Sequence, residues 1–81
     1  MREMPSKQQI LDRGQRAKEL LDAPAFQECL AEIESRLVDQ WLNSTRDDFT
    51  VRELAYERLQ AVRDIRAQVK LFMDEAALAK R

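Results

Sequence analysis

The chain has 81 residues, with 14 basic and 15 acidic side chains, no histidine and one cysteine. The near-balance of charge argues against a strong general affinity for nucleic acid, which needs a clustered excess of Lys and Arg. The missing histidine and the lone Cys29 leave no intrachain disulfide, no conventional zinc site and no Ser–His or Cys–His nucleophile pair.

One small domain, residues 1–81, is the expectation, and ten of its hydrophobic residues are alanines, so large core side chains are scarce. Chains this small usually need a metal, disulfides or a partner, which here points to self-association or a partner unless the helices pack unusually regularly. With one glycine and two prolines among abundant Ala, Leu, Glu, Gln and Arg, the composition predicts an all-α fold. No apolar run approaches the ~20 residues of a membrane span. The N-terminal "MREMPSKQQ" lacks the apolar core of a secretion signal. Residues 1–5 are expected to be flexible, and the expected compartment is the cytoplasm, where a lone thiol stays reduced.

A first helix is predicted over about 6–21. Ser6 and Gln9 have capping-box spacing, in which each side chain satisfies the other's backbone N–H. Its apolar stripe is narrow: Ile10, Leu11, Ala17, Leu20 and Leu21. Gly14 lies on the same side, and in a helix interior it costs about 0.8–1.0 kcal/mol relative to alanine. Two readings stand, a tolerated weak spot or a close backbone approach to another helix.

Pro24 disfavours helical geometry at Ala23 and suits a first helical turn, so a second helix is predicted over about 24–43, separate or as a kinked continuation. Phe26, Leu30, Ile33, Leu37 and Trp41 recur in steps of three and four, the helical period. The polar stretch "NSTRDDF" then breaks the helix, because Asn, Ser, Thr and Asp side chains bond to local backbone. Thr50 with Glu53 forms a second capping-box pair, and Phe49 is placed to pack back on Leu54. The third helix is therefore predicted over about 50–79, with a stripe of Val51, Ala55, Leu59, Val62, Ile65, Val69, Phe72 and Ala76. The overall expectation is a helical hairpin preceded by a shorter helix, as a small bundle or a coiled-coil-like oligomer.

Trp41 falls in the last turn before the connection, where it can plug the closed end of the hairpin over Phe49, Val51 and Ala55. The alternative is an exposed tryptophan that anchors an interface. The third helix also outruns the second. The excess apolar strip must be covered by the first helix or by another subunit, which makes Leu20, Leu21, Val69, Phe72, Met73 and Ala76 the candidate partner or oligomer interface. The near-heptad spacing of Ala55, Leu59, Val62, Val69 and Ala76 permits a coiled-coil seam, with Arg66 interrupting it.

No catalytic chemistry is legible, and neither a cofactor nor a metal is expected. One glycine cannot build a phosphate-binding loop. Cys29 borders the apolar stripe beside Glu28 and Glu32 and reads as a packed thiol. Arg52, Arg63, Arg66 and Lys70 gather near Tyr56 on one side of the third helix, a candidate nucleic-acid contact. Interleaved Glu53, Glu57, Asp64 and Asp74 make a solvated helix face the ordinary explanation.

The stretch "RGQRAKELLDAPAFQECLAEIESRLVDQWLNSTRDD", followed by a helix with "LQAVRDIRAQVK", resembles a group of short uncharacterised proteins of tailed bacteriophages and prophages. The shared pattern falls on Gly14, Ala17, Leu20, Leu21, Pro24, Phe26, Trp41, Asp47 and Asp48, within about residues 13–70. The C-terminal "LFMDEAALAKR" departs from the Gly-Lys type of ending found in that group. The resemblance implies a helical component or factor of virion assembly, without enzymatic activity, in the host cytoplasm or the virion. It offers no functional residues to transfer. Three functions are thus expected in order: a non-enzymatic protein–protein interaction module that oligomerises or docks on a phage structural protein; a nucleic-acid-binding accessory of DNA packaging or regulation; and a phage-encoded inhibitor of a host protein.

Overall fold

The computed structural model describes residues 4–81, and it is all-helical over α1 (Lys7–Asp22), α2 (Pro24–Asn43) and α3 (Phe49–Ala79). The expectation of a flexible start concerns, for residues 1–3, a stretch outside the described residues. No helix among the described residues is long and apolar enough to cross a membrane.

The capping box at α1 is complete: the Gln9 N–H donates to Ser6 Oγ at 3.2 Å, and the Ser6 N–H donates to Gln9 Oε1 at 2.8 Å. Pro24 occupies the first turn of α2, after Ala23 in extended geometry with ψ 118°. α1 and α2 are therefore separate helices, and the Gln27 side chain reaches back across the joint to the Leu21 carbonyl.

The start of α3 differs from expectation. It begins at Phe49 behind Asp48, one residue before Thr50, so Thr50 does not cap it. The local competition went to the turn. The Asp48 carboxylate accepts from Thr45 Oγ1 at 2.9 Å and from the Thr45 N–H at 3.4 Å, closing the connection on itself. Phe49 and Leu54 are both exposed, so no apolar staple forms across that first turn.

Cross-helix contacts give the topology. Arg13 meets Glu75, Glu34 meets Arg66, and Trp41 meets Arg52. The numbers rise on one side as they fall on the other, so α1 and α2 follow one another antiparallel to α3. The principal extents of 51 × 33 × 18 Å describe a flat molecule about two helices deep.

Ala55, Val62, Val69 and Ala76, spaced by sevens, are the buried positions of α3. Val62 joins Leu30 and Leu37 of α2 in a small apolar cluster flanked by Phe26, Ile33 and Leu59. α1 covers the far end of the strip. A Cβ built on Gly14 would stand 2.2 Å from Ala76 Cβ and 3.0 Å from the Phe72 carbonyl oxygen. Gly14 is thus a point of close helix approach, the second of its two readings. It lets backbone reach backbone where any side chain would hold the helices apart.

Candidate functional site

The six residues expected to form an interface are placed mostly inside the monomer. Val69 and Ala76 are buried, Leu21, Phe72 and Met73 are half-buried, and Leu20 is exposed. The Arg13 guanidinium lies 4.1 Å from the centre of the Phe72 ring, and Arg13 Nη2 donates to Glu75 Oε2 at 2.7 Å. Of the two solutions to the overhang, covering by the first helix is the one realised, and Val69 and Ala76 are not free for a partner. The set fails as a docking face because α1 carries small residues, Gly14 and Ala17, where it crosses α3 and so comes close enough to shield it.

The open surface lies at the opposite end of the hairpin. Trp41 is 40% exposed and Phe49 is 71% exposed, so the tryptophan does not plug the closed end. The Arg52 guanidinium instead lies 4.9 Å from the centre of the Trp41 ring, a cation–π contact. Trp41, Arg46, Phe49, Arg52 and Tyr56 line one shallow cleft with Glu53. The turn holds its shape through the Thr45–Asp48 bonds and through Ser44 Oγ, which donates to the Trp41 carbonyl at 2.6 Å. Three of the chain's five aromatic residues thus gather on the surface within a span of 16 positions.

From the sequence, Phe49 is expected beneath Trp41, but Arg46 and Tyr56 are not connected with either. Their clustering between 41 and 56 was the available signal, hidden because Phe49 also suits a helix-start staple.

The candidate nucleic-acid side chains do not form an open cationic strip. Arg52 is committed to Trp41, and Arg66 Nη1 lies 2.8 Å from Glu34 Oε1. Arg63 and Lys70 are exposed, without an ion pair among the described residues. Cys29 is exposed rather than packed, because α2 turns only Leu30 and its helical neighbours toward α3. Among the described residues no three of the His, Cys, Asp and Glu side chains come together as a metal-binding group.

No protein-family model, curated protein or solved structure matches the chain.

Proposed function

We propose that the chain is a non-enzymatic protein–protein interaction module that docks a partner through the cleft of Trp41, Phe49, Tyr56, Arg46 and Arg52. The single observation carrying this reading is the exposure of three aromatic rings around two arginines on a molecule poor in large side chains. Trp, Tyr and Arg dominate the binding energy of protein interfaces, because each buries a large area while keeping a polar handle. A solvent-facing position for such residues costs folding nothing but leaves apolar area in water, about 25 cal/mol for each Å² that a partner can recover.

The resemblance to short tailed-phage proteins supports a virion-assembly protein as the partner, with a host protein as the competing assignment. Nucleic acid is the weaker reading, since Arg52 and Arg66 already have partners within the chain. The test compares proteins captured from infected and uninfected cells by the wild type, by Trp41→Ala/Phe49→Ala and by an Arg63→Ala/Lys70→Ala control. The expected result is a prey lost with the aromatic pair and kept with the control. Binding that survives the aromatic substitutions, or that vanishes with the control and with added salt, removes the reading.

A further inference from the structure

We infer that a second copy of this chain pairs antiparallel along α3, through a strip that α1 leaves uncovered. Val51, Leu54, Arg58, Ala61, Ile65 and Gln68 recur in steps of three and four, so they lie on one side of the helix. They stand one position ahead of the seam buried inside the hairpin, Ala55, Val62 and Val69. The next residue of the strip is Phe72, and there α1 sits on it through Arg13 and Gly14. Nearer the tip α1 is absent, and the polar Gln40, Asn43 and Ser44 at the end of α2 border only its edge at Val51, Leu54 and Arg58. Val51 is 51% exposed, Leu54 43% and Ile65 47%. α1 spans about 24 Å and α3 about 46 Å at 1.5 Å per residue, so about half of α3 lacks α1. Beside this stretch runs an open groove lined by Arg58, Ala61 and Val62 of α3 and by Ile33, Arg36, Leu37 and Gln40 of α2.

A second copy fits this strip because the strip is complementary to its own reverse. Laid antiparallel, Leu54 meets Ile65 of the second copy, Arg58 meets Ala61, and Val51 meets Gln68. Each pairing occurs twice about a two-fold axis, as a self-complementary interface requires. The central layer sets the largest side chain against the smallest. Glu57 and Asp64 stand one turn either side of Ala61, at i−4 and i+3, and therefore flank the seat of the incoming arginine. Arg58, Glu57 and Asp64 have no ion-pair partner among the described residues. Pairing sets two arginines among four carboxylates, so each arginine gains an opposite charge.

Area agrees. The chain exposes 6754 Å², whereas an average folded monomer of 9.5 kDa exposes about 5,000 Å². An elongated shape takes part of that difference, and the loss of about 800 Å² per partner in a standard interface is of the same order. The tip aromatics Phe49 and Tyr56 lie on the other side of α3, about 140–160° from Leu54 at 100° per residue, so self-pairing and docking at the cleft use separate surfaces and fail separately.

Sedimentation of the purified full chain between about 1 and 200 μM tests the pairing, at concentrations spanning the micromolar range of weak dimers. The wild type is expected as a dimer, and Leu54→Asp and Ile65→Asp each as a monomer with unchanged helical circular dichroism. Arg58→Glu is expected to weaken association about tenfold or more, and Arg58→Glu/Asp64→Arg to restore it. This pair decides the matter if the aspartate variants lose helicity. On a Cys29→Ala background, a chain carrying both Leu54→Cys and Ile65→Cys forms a covalent dimer on oxidation, while either cysteine alone does not. A wild type that stays monomeric throughout, a dimer indifferent to these substitutions, or single-cysteine chains that cross-link as readily as the double variant overturns the proposal.

Discussion

The two ends of α3 solve the same packing problem in opposite ways. At the C-terminal end α1 lies on the helix through Gly14 and Ala17, and the apolar strip is buried with few large side chains. Toward the tip α2 supplies Leu30 and Leu37, large side chains that bury one edge of α3 while Leu54, Tyr56 and Phe49 remain in water. Close approach of backbones buries area with small residues; large residues at wider spacing bury less of the helix and leave grooves. Close approach at Gly14 thus covers the strip at the C-terminal end, although Leu20, Leu71 and Leu78 stay exposed around it, whereas the tip leaves its strip open.

The largest expected effect strikes the α2 side. Leu37→Ala removes a buried side chain from the small apolar cluster and should cost about 2–5 kcal/mol, seen as a lower midpoint in urea at an unchanged slope. At the sealed end, Gly14→Ala should destabilise even though alanine is the better helix former. The added methyl meets Ala76 Cβ at 2.2 Å, and overpacking costs typically about 1–3 kcal/mol. Thermal unfolding with Gly14→Ala, Ala76→Gly and the two together should show the double variant less stable than the wild type but more tolerant of the added methyl than the single change implies. Strict additivity would mean that the two helices do not approach each other there.

Arg13→Ala comes next, at about 1 kcal/mol. Its pair with Glu75 is more than a third exposed on both sides and therefore screened, which leaves the stacking on Phe72 as the main loss. Because of that, Arg13→Ala should lose more stability than Glu75→Gln in the same thermal measurement. The smallest effect is expected at the tip. Phe49→Ser and Tyr56→Ser should stay within about 0.5 kcal/mol of the wild type, since neither ring is packed in the monomer. A larger loss at Phe49 would mean that the cleft helps to hold the hairpin together.

The helices themselves were legible residue by residue. Ser6 with Gln9, Pro24 after Ala23, and the polar run after Leu42 each carry a local signal that needs no tertiary context, and the structure bears them out. The failures share one cause: they depended on which surface a neighbour would approach. Gly14 supports two outcomes until the position of Ala76 is known. Trp41 lies on the apolar stripe by spacing, yet Arg52 meets it from the side and keeps it at the surface. Cys29 borders the same stripe and falls outside the arc that α3 covers. Thr50 with Glu53 was a valid helix start in isolation, but Thr45 with Asp48 offered the same carboxylate and hydroxyl chemistry one turn earlier and ended the loop there. The tip cleft was legible only as a density of aromatic residues, because a sequence carries no sign that separates a ring packed inward from one left outside.

Among the described residues no side chain falls below 2% exposure. One copy of the chain therefore has only a thin interior: its buried apolar residues keep 3–8% of their surface in water, and its ion pairs sit on half-exposed side chains, where dissolved ions and a high dielectric constant dull electrostatic forces. Within one copy, shape then does more than charge to hold the helices together. A second layer of protein against the flat faces would change that, giving the same side chains the low-dielectric surroundings that a slab only two helices deep cannot provide by itself.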